Sequence, residues 1–337
     1  MTSVTAAHYA ADSRIQRMSP ETAAAVSTKA AQLEKALRQV IRGKDDVIRL
    51  ALVSVFARGH LLIEGVPGVG KTTLGQALAR AIDCTFQRVQ FTSDMLPSDV
   101  IGISVYSATE QVFEFKRGPV FTNVLLADEI NRTTPKTQSA LLEAMNEGQV
   151  TVDAHSYELP QPFLVIATQN PVEHHGTYPL PESQLDRFLM RIEVGYPDPA
   201  AEKEILKRFS NGRQQHRTEA VLTPSEVLHL QDESRKTHIG EPIVDYMIQI
   251  VNRTRQHQEI ELGISPRGTA ALFRAAQALA MLEGRSFVIP DDVKKLIHPV
   301  FEHRLVMGRT GARGRAHAAA EAKTILSEIV AQIPIPA

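Results

Sequence analysis

Apolar residues recur at two different spacings along this chain, and the change between them divides it. Over 20–43, Ala residues with Leu33, Leu37, Val40 and Ile41 follow a helical period, with Gly43 as the expected C-cap. A second helix is predicted over 45–58. The pattern then breaks into short runs at 60–64, 86–91, 124–127, 163–168 and 191–194, each rich in Val, Ile, Leu or Phe. Such runs read as strands of a parallel sheet buried on both faces. Helical stretches at 72–81 and 136–146 lie between them, which predicts a doubly wound parallel α/β sheet. The turn-rich Gly195-Tyr196-Pro197-Asp198-Pro199 ends that pattern. Beyond it, helical periodicity at 200–209, 224–236, 241–255, 266–283 and 290–306, with no strand signal, predicts a second, all-helical domain. The expected organisation is a loosely held Ala/Ser/Thr-rich start over 1–19, an α/β core over 20–196, a helical domain over 197–307, and a tail over 308–337. In the tail a Gly/Arg-rich link leads to a last helix at 317–332.

Composition narrows the function classes. A chain of 337 residues has room for two domains of about 150 residues each and needs no staple. The lone Cys84 cannot form an internal disulfide, and no Cys/His cluster has zinc-ligand spacing. With 37 Lys plus Arg against 38 Asp plus Glu, the charge balance argues against a main role in coating nucleic acid or anionic membrane, although a local basic groove is compatible. Aromatics are 5% and Trp is absent, which leaves little to stack bases on. No apolar run reaches the length of a membrane span, and the start lacks a signal-peptide pattern. A cytoplasmic location is expected.

The chemistry concentrates where predicted strands end. Gly65-Val66-Pro67-Gly68-Val69-Gly70-Lys71-Thr72 follows a strand and opens a helix, the context of a phosphate-binding loop. Pro67, Gly68, Val69, Gly70, Lys71, Thr72 and Thr73 would wrap the phosphates. Lys71 would reach the β and γ groups and Thr72 would offer its hydroxyl to Mg²⁺. Val124–Ala127 runs into Asp128-Glu129 at the edge where open α/β sheets bind ligands. Asp128 would hold Mg²⁺ through water and Glu129 would polarise the attacking water; a solvated strand end is the plain alternative. Asn170, after the run 163–168, is a candidate to orient that water, or else part of an Asn-Pro turn. Arg187, before the last strand, is placed to reach a phosphate in a neighbouring subunit, or to pair internally with Asp186 or another acid. Ser265 and Pro266 suit the cap and first position of a helix and so aim Arg267. It could bring the helical domain down on the phosphates, or be an exposed helix-start arginine.

Taken together, the chain resembles the AAA+ ATPases and, within them, the MoxR family. The resemblance runs from about Val40 to Leu305. It rests on Gly118-Pro119-Val120-Phe121-Thr122-Asn123 continuing into Asp128-Glu129-Ile130-Asn131-Arg132, on Pro135-Lys136-Thr137-Gln138-Ser139-Ala140-Leu141-Leu142-Glu143-Ala144-Met145, on Gln90-Phe91-Thr92 with Leu96-Pro97-Ser98-Asp99, on Ala167-Thr168-Gln169-Asn170-Pro171, on Gly176-Thr177-Tyr178-Pro179-Leu180-Pro181-Glu182, and on Leu185-Asp186-Arg187-Phe188. It implies that Lys71 and Thr72 are Walker A, Asp128 and Glu129 Walker B, Asn170 sensor 1, Arg187 the arginine finger and Arg267 sensor 2, with Val40 and Ile41 bordering the adenine of ATP. It also implies an insertion over about 92–116 and a β-hairpin over about 148–159, both facing the pore of a ring. The residues agree: 105–106 can pair with 112–115, and 149–152 with 156–159. His174-His175 stands where relatives carry an acid, and the tail after Met307 lies outside the shared pattern.

The function implied is a chaperone-like, Mg²⁺-dependent ring ATPase, hexameric by family expectation. It would remodel or mature a protein client with a von Willebrand factor A domain adaptor. The nearest alternative is the motor subunit of a magnesium-chelatase-like enzyme. A nucleic-acid motor is disfavoured because the hairpins mix Glu110, Glu114, Asp153 and Glu158 with Lys116 and Arg117. A nucleotide-gated scaffold is the remaining alternative.

Overall fold

A computed structural model of the chain describes residues 17–66, 68–170, 177–196, 219–308 and 315–336, with isolated positions over 199–206. Pro67, the pair His174-His175, most of 1–19, part of the turn at 195–199, most of the helix expected at 200–209 and the link at 309–314 lie outside the described residues. Helix α1 (Pro20–Val40) starts on Ser19, whose side chain accepts the Thr22 N–H, with Pro20 in the first turn. It ends three residues before the expected Gly43, because Ile41 is already extended and Gly43 takes φ 66° in the turn toward α2 (Asp45–Phe56).

Five strands form the central sheet: β1 (Leu61–Glu64), β2 (Phe86–Gln90), β5 (Val124–Asp128), β8 (Leu164–Gln169) and β9 (Met190–Glu193). All pair in parallel, in the order β2-β5-β8-β1-β9. The uninterrupted apolar runs are explained by burial on both faces. Val124 and Leu126, Leu164 and Ile166, and Leu61 and Ile63 point into one apolar cluster. Leu125 and Ala127, Val165 and Ala167, and Leu62 point into another, roofed by α5 (Pro135–Glu147). Between β2 and β5 lie α4 (Pro97–Ile101) and the hairpin β3 (Gly102–Ser107) with β4 (Val112–Arg117). A second hairpin, β6 (Gln149–Val152) with β7 (His155–Glu158), follows α5. Phe115 stacks on Tyr157 with ring centroids 4.2 Å apart, so the two hairpins touch.

The short helix α6 (Glu182–Leu185) precedes β9, and the C-terminal part holds α7 (Pro224–Arg235), α8 (Glu241–Gln256), α9 (Pro266–Leu282), α10 (Pro290–Phe301) and α11 (Arg315–Gln332). The expectation of an all-helical unit is corrected by a small antiparallel ribbon, β10 (Ile260–Leu262) with β11 (Val306–Met307). The helix expected over 290–306 stops at Phe301 and turns through a 3₁₀ segment (Glu302–Arg304) into β11. Strands of two and three residues are too short to show alternation. Helix α9 lies against α1 and α2, its Ala271, Ala275, Ala276, Ala278 and Ala280 buried. Small side chains allow that close approach, and α9 shares one apolar cluster with α1, α2, α3 (Lys71–Ala81) and a face of the sheet. Among the described residues no helix is long and apolar enough to cross a membrane.

Candidate functional site

At the C-terminal edge of β1 the backbone opens into a cradle. Gly68 and Gly70 take φ of 85° and 91°, and among the described residues no heavy atom lies within 4 Å of a Cβ built on either. That conformation favours glycine and leaves the space clear. Helix α3 begins at Lys71 with Gly70 as its cap and no side chain closing its first turn, so its leading N–H groups are left for a ligand. Lys71 Nζ donates to the Gly65 carbonyl at 2.7 Å. Thr72 and Thr73 are half-buried in the first turn. Val40, Ile41 and Val69 pack on the same cluster as Val194, and Lys44 Nζ donates to the Tyr196 carbonyl at 2.8 Å. The cradle suits a phosphate chain.

The acidic pair lies at the same edge, at the end of β5, two strands from β1 with β8 between them. Asp128 is buried. Its Oδ2 accepts from Arg88 Nη2 at 2.7 Å and Nε at 3.1 Å, and its Oδ1 accepts the Thr168 hydroxyl at 2.5 Å. Glu129 follows in a left-handed conformation, φ 57° and ψ 48°, held by its N–H donating to Thr168 Oγ1 at 2.9 Å. Its carboxylate accepts from Gln90 Nε2 at 2.7 Å and Arg132 Nη1 at 3.0 Å. Asn170 is buried just past the end of β8. The sequence reading missed Arg88, Gln90 and Thr168. Arg88 and Gln90 are two apart on β2, hence on one face, which is the only linear signal of their shared task. Thr72 and Asp128 are hard oxygen donors, the type that holds Mg²⁺ together with phosphates and water. Among the described residues no group of three or more His, Cys, Asp or Glu could hold a metal by itself.

Arg187 and Arg267 lie elsewhere, and together. Both line a cavity of about 160 Å³ with Arg58, His60, Arg274 and Arg304. His60 immediately precedes β1 and Leu189 immediately precedes β9, with the Leu189 N–H donating to the His60 carbonyl at 2.8 Å. The cavity therefore opens at the N-terminal edge of the parallel sheet. Four residues of β1, about 13 Å of strand, separate that edge from the loop that starts the phosphate cradle. Asp186 makes the junction, accepting from Arg304 Nε at 2.7 Å and from the Ser265 hydroxyl at 3.0 Å, while Ser265 caps α9 through the Gly268 N–H. Arg187 is thus not paired with its neighbour Asp186. One of its Nη atoms donates to the Leu142 carbonyl at 2.8 Å, and its buried Nε has no partner. Helix α9 is anchored on α1 and α2, and the first turn that carries Arg267 faces the sheet edge opposite the cradle.

His60 fixes the floor of this cavity. Its Nδ1 accepts from the Val165 N–H and its Nε2 donates to the Met145 carbonyl, each at 3.0 Å. Burial pushes its pKa down to about 4, and Arg274 adds to that. His303, beside Arg304, is lowered well below the usual range, first by burial and then by Arg304 and Arg191.

Residues 60–190 match the ATPase family associated with various cellular activities, and 252–329 match the AAA lid domain. With a Walker-type cradle and an acidic strand end on one doubly wound sheet, the chain is an AAA+ ATPase. It is 46% identical to YeaC, an uncharacterized protein of Bacillus subtilis, over 89% of this chain and 92% of that one. To the chaperone MoxR1 of Mycobacterium tuberculosis it is 42% identical, over 82% of this chain and 76% of that one. The crystal structure of a Cytophaga hutchinsonii protein, provisionally assigned there as an ATPase, superposes with a TM-score of 0.85 at 37% identity, covering 94% of this chain and 98% of that one. The chain belongs to the MoxR family of AAA+ ATPases.

Proposed function

We propose that this chain hydrolyses ATP with Mg²⁺ in a ring of identical copies, each copy's basic cavity completing the nucleotide site of the next. The observation that carries this reading is the separation of the two half-sites, with the phosphate cradle at one edge of the sheet and Arg187 and Arg267 at the other. Surfaces at opposite edges of one molecule join head to tail, and such contacts repeat until a ring closes; six copies is the family expectation. The loop Pro67–Thr73 holds the phosphates, with Lys71 on the β and γ groups, and Val40 and Ile41 border the base. Glu129 polarises the attacking water once it leaves Gln90 and Arg132, Asn170 orients that water, and the neighbour's Arg187 and Arg267 neutralise charge developing on the γ-phosphate. Thr72 and, through water, Asp128 would hold Mg²⁺, which would supply charge neutralisation on the phosphates.

The output is the remodelling or maturation of a protein client in the cytoplasm, with a von Willebrand factor A domain protein as adaptor. The tip of the first hairpin supports a protein partner. Phe113 is 74% exposed with Tyr106 beside it, ring centroids 5.3 Å apart, while Lys116 is tied to Glu114 at 2.6 Å. Apolar tips of mixed charge suit a polypeptide better than a phosphate backbone.

The test is ATP turnover per subunit across protein concentration. The specific rate rises with concentration. Lys71→Ala abolishes ATP binding, whereas Glu129→Gln and Arg187→Ala bind ATP but lose turnover by about a hundredfold or more. Turnover that is flat with concentration and indifferent to Arg187 would sink the shared-site ring.

A further inference from the structure

The cavity at the N-terminal edge carries more positive charge than the two expected arginines explain. Five guanidinium groups line it, from Arg58, Arg187, Arg267, Arg274 and Arg304, against one carboxylate, Asp186. Two of the five are neutralised within the subunit: Arg304 by Asp186 and Arg58 by Asp232, each at 2.7 Å. Among the described residues, Arg187, Arg267 and Arg274 have no carboxylate partner. Arg274 makes no hydrogen bond there at all. It follows Arg267 by seven residues on α9, two turns and therefore the same helix face, so both heads are delivered to one cavity. Desolvation, then Arg235, then Arg267 pull its pKa below the ordinary guanidinium value. Arg267 and Arg274 present exposed guanidinium groups at the cavity beside half-buried Arg187, so this surface is a concentrated positive patch that an incoming anion would meet.

We infer that Arg274 is a third cation of the phosphate-receiving cavity and contacts the terminal phosphates of ATP held by the neighbouring copy, beside Arg187 and Arg267. This rests on the reading that the cavity acts across the subunit interface. The planar guanidinium forks of three residues match the oxygens of a triphosphate terminus, and the unpartnered buried Nε of Arg187 is one donor still unused. Because the cavity and the subunit's own cradle lie at opposite sheet edges, Arg274 adds nothing to the ATP affinity of its own subunit.

Mixing defective subunits tests both levels. At dilutions where copies stay apart, Arg274→Ala binds ATP as tightly as the parent protein; at saturating protein concentration it loses turnover by about tenfold or more, and Arg274→Lys recovers part of it. Lys71→Ala has an intact cavity and no working cradle, so adding it restores turnover to Arg274→Ala and to Arg187→Ala alike. A mixture of Arg187→Ala with Arg274→Ala stays low, because both lack the same half-site. A full plateau rate in Arg274→Ala with only the concentration midpoint shifted overturns the proposal in favour of an ion pair with a neighbour's carboxylate. Rescue of Arg187→Ala but not of Arg274→Ala overturns it while leaving the shared-site reading intact. Failure of both rescues removes the shared site and Arg274's role with it.

Discussion

Thr168 has no charge, yet it sets both acidic groups of the site. Its fully buried hydroxyl donates to Asp128 and accepts the Glu129 N–H that holds the left-handed turn. Thr168→Val keeps the shape and deletes both bonds, leaving a buried N–H unpaired. We expect a loss of about 2 kcal/mol in urea unfolding, together with a fall in turnover at retained ATP binding. Parent-like turnover would show that Glu129 finds its place without the hydroxyl. Lys71, Thr72, Asp128, Glu129 and Asn170 could be put forward from the sequence because each follows an apolar run directly or through a glycine-rich loop. Thr168, Arg88 and Gln90 were not, because their tasks come from register: Gln90 lies opposite Asp128, and Ala127 opposite Ala167, across strands far apart in the chain.

Among elements, the junction of the β9 corner with α9 decides where the arginines stand. Asp186 links Arg304, whose side chain is 2% exposed, to the cap of α9. Asp186→Ala strands a buried guanidinium and loosens the helix start that carries Arg267. The expected cost is about 3 kcal/mol of stability, with turnover reduced and ATP affinity retained, read by denaturant unfolding and nucleotide titration. Unchanged turnover would mean that Arg267 is placed by α9 packing alone. The helices and strands themselves were legible to within a few residues, since long periodic segments and doubly buried runs leave strong patterns. The β10–β11 ribbon was invisible because it offers one buried residue per strand, Ile260 and Met307.

Across the whole molecule, two buried histidines make stability depend on pH: His60 joins the sheet to α5, and His303 joins the C-terminal part to the Phe188 carbonyl before β9. His60 is neutral in the fold down to about pH 4 but titrates near 6.5 when unfolded, and His303 shifts in the same direction. The unfolded chain therefore binds more protons across that window, and stability falls as pH drops from 6.5 toward 4. His60 alone accounts for about 3 kcal/mol. Thermal melts between pH 7.5 and about 4.5 should show the midpoint falling below pH 6.5, with a smaller fall in His60→Gln measured against its own value at neutral pH. A flat profile would place both rings in contact with water.

The sequence by itself determined the doubly wound sheet, the phosphate cradle, the acidic strand end and the family, because each is written in spacing local to one segment. Glycines in a loop that must turn, carboxylates at the end of an apolar run and a capped helix start need no distant partner to be recognised. The tertiary structure decided which of these groups share a site. It put Arg187, Arg267 and Arg274 at the sheet edge opposite the cradle, because α9 buries its alanines against α1 and α2 and Asp186 ties its cap to the corner before β9. No local spacing encodes that side of the sheet; it follows from how residues far apart in the chain bury one common apolar surface.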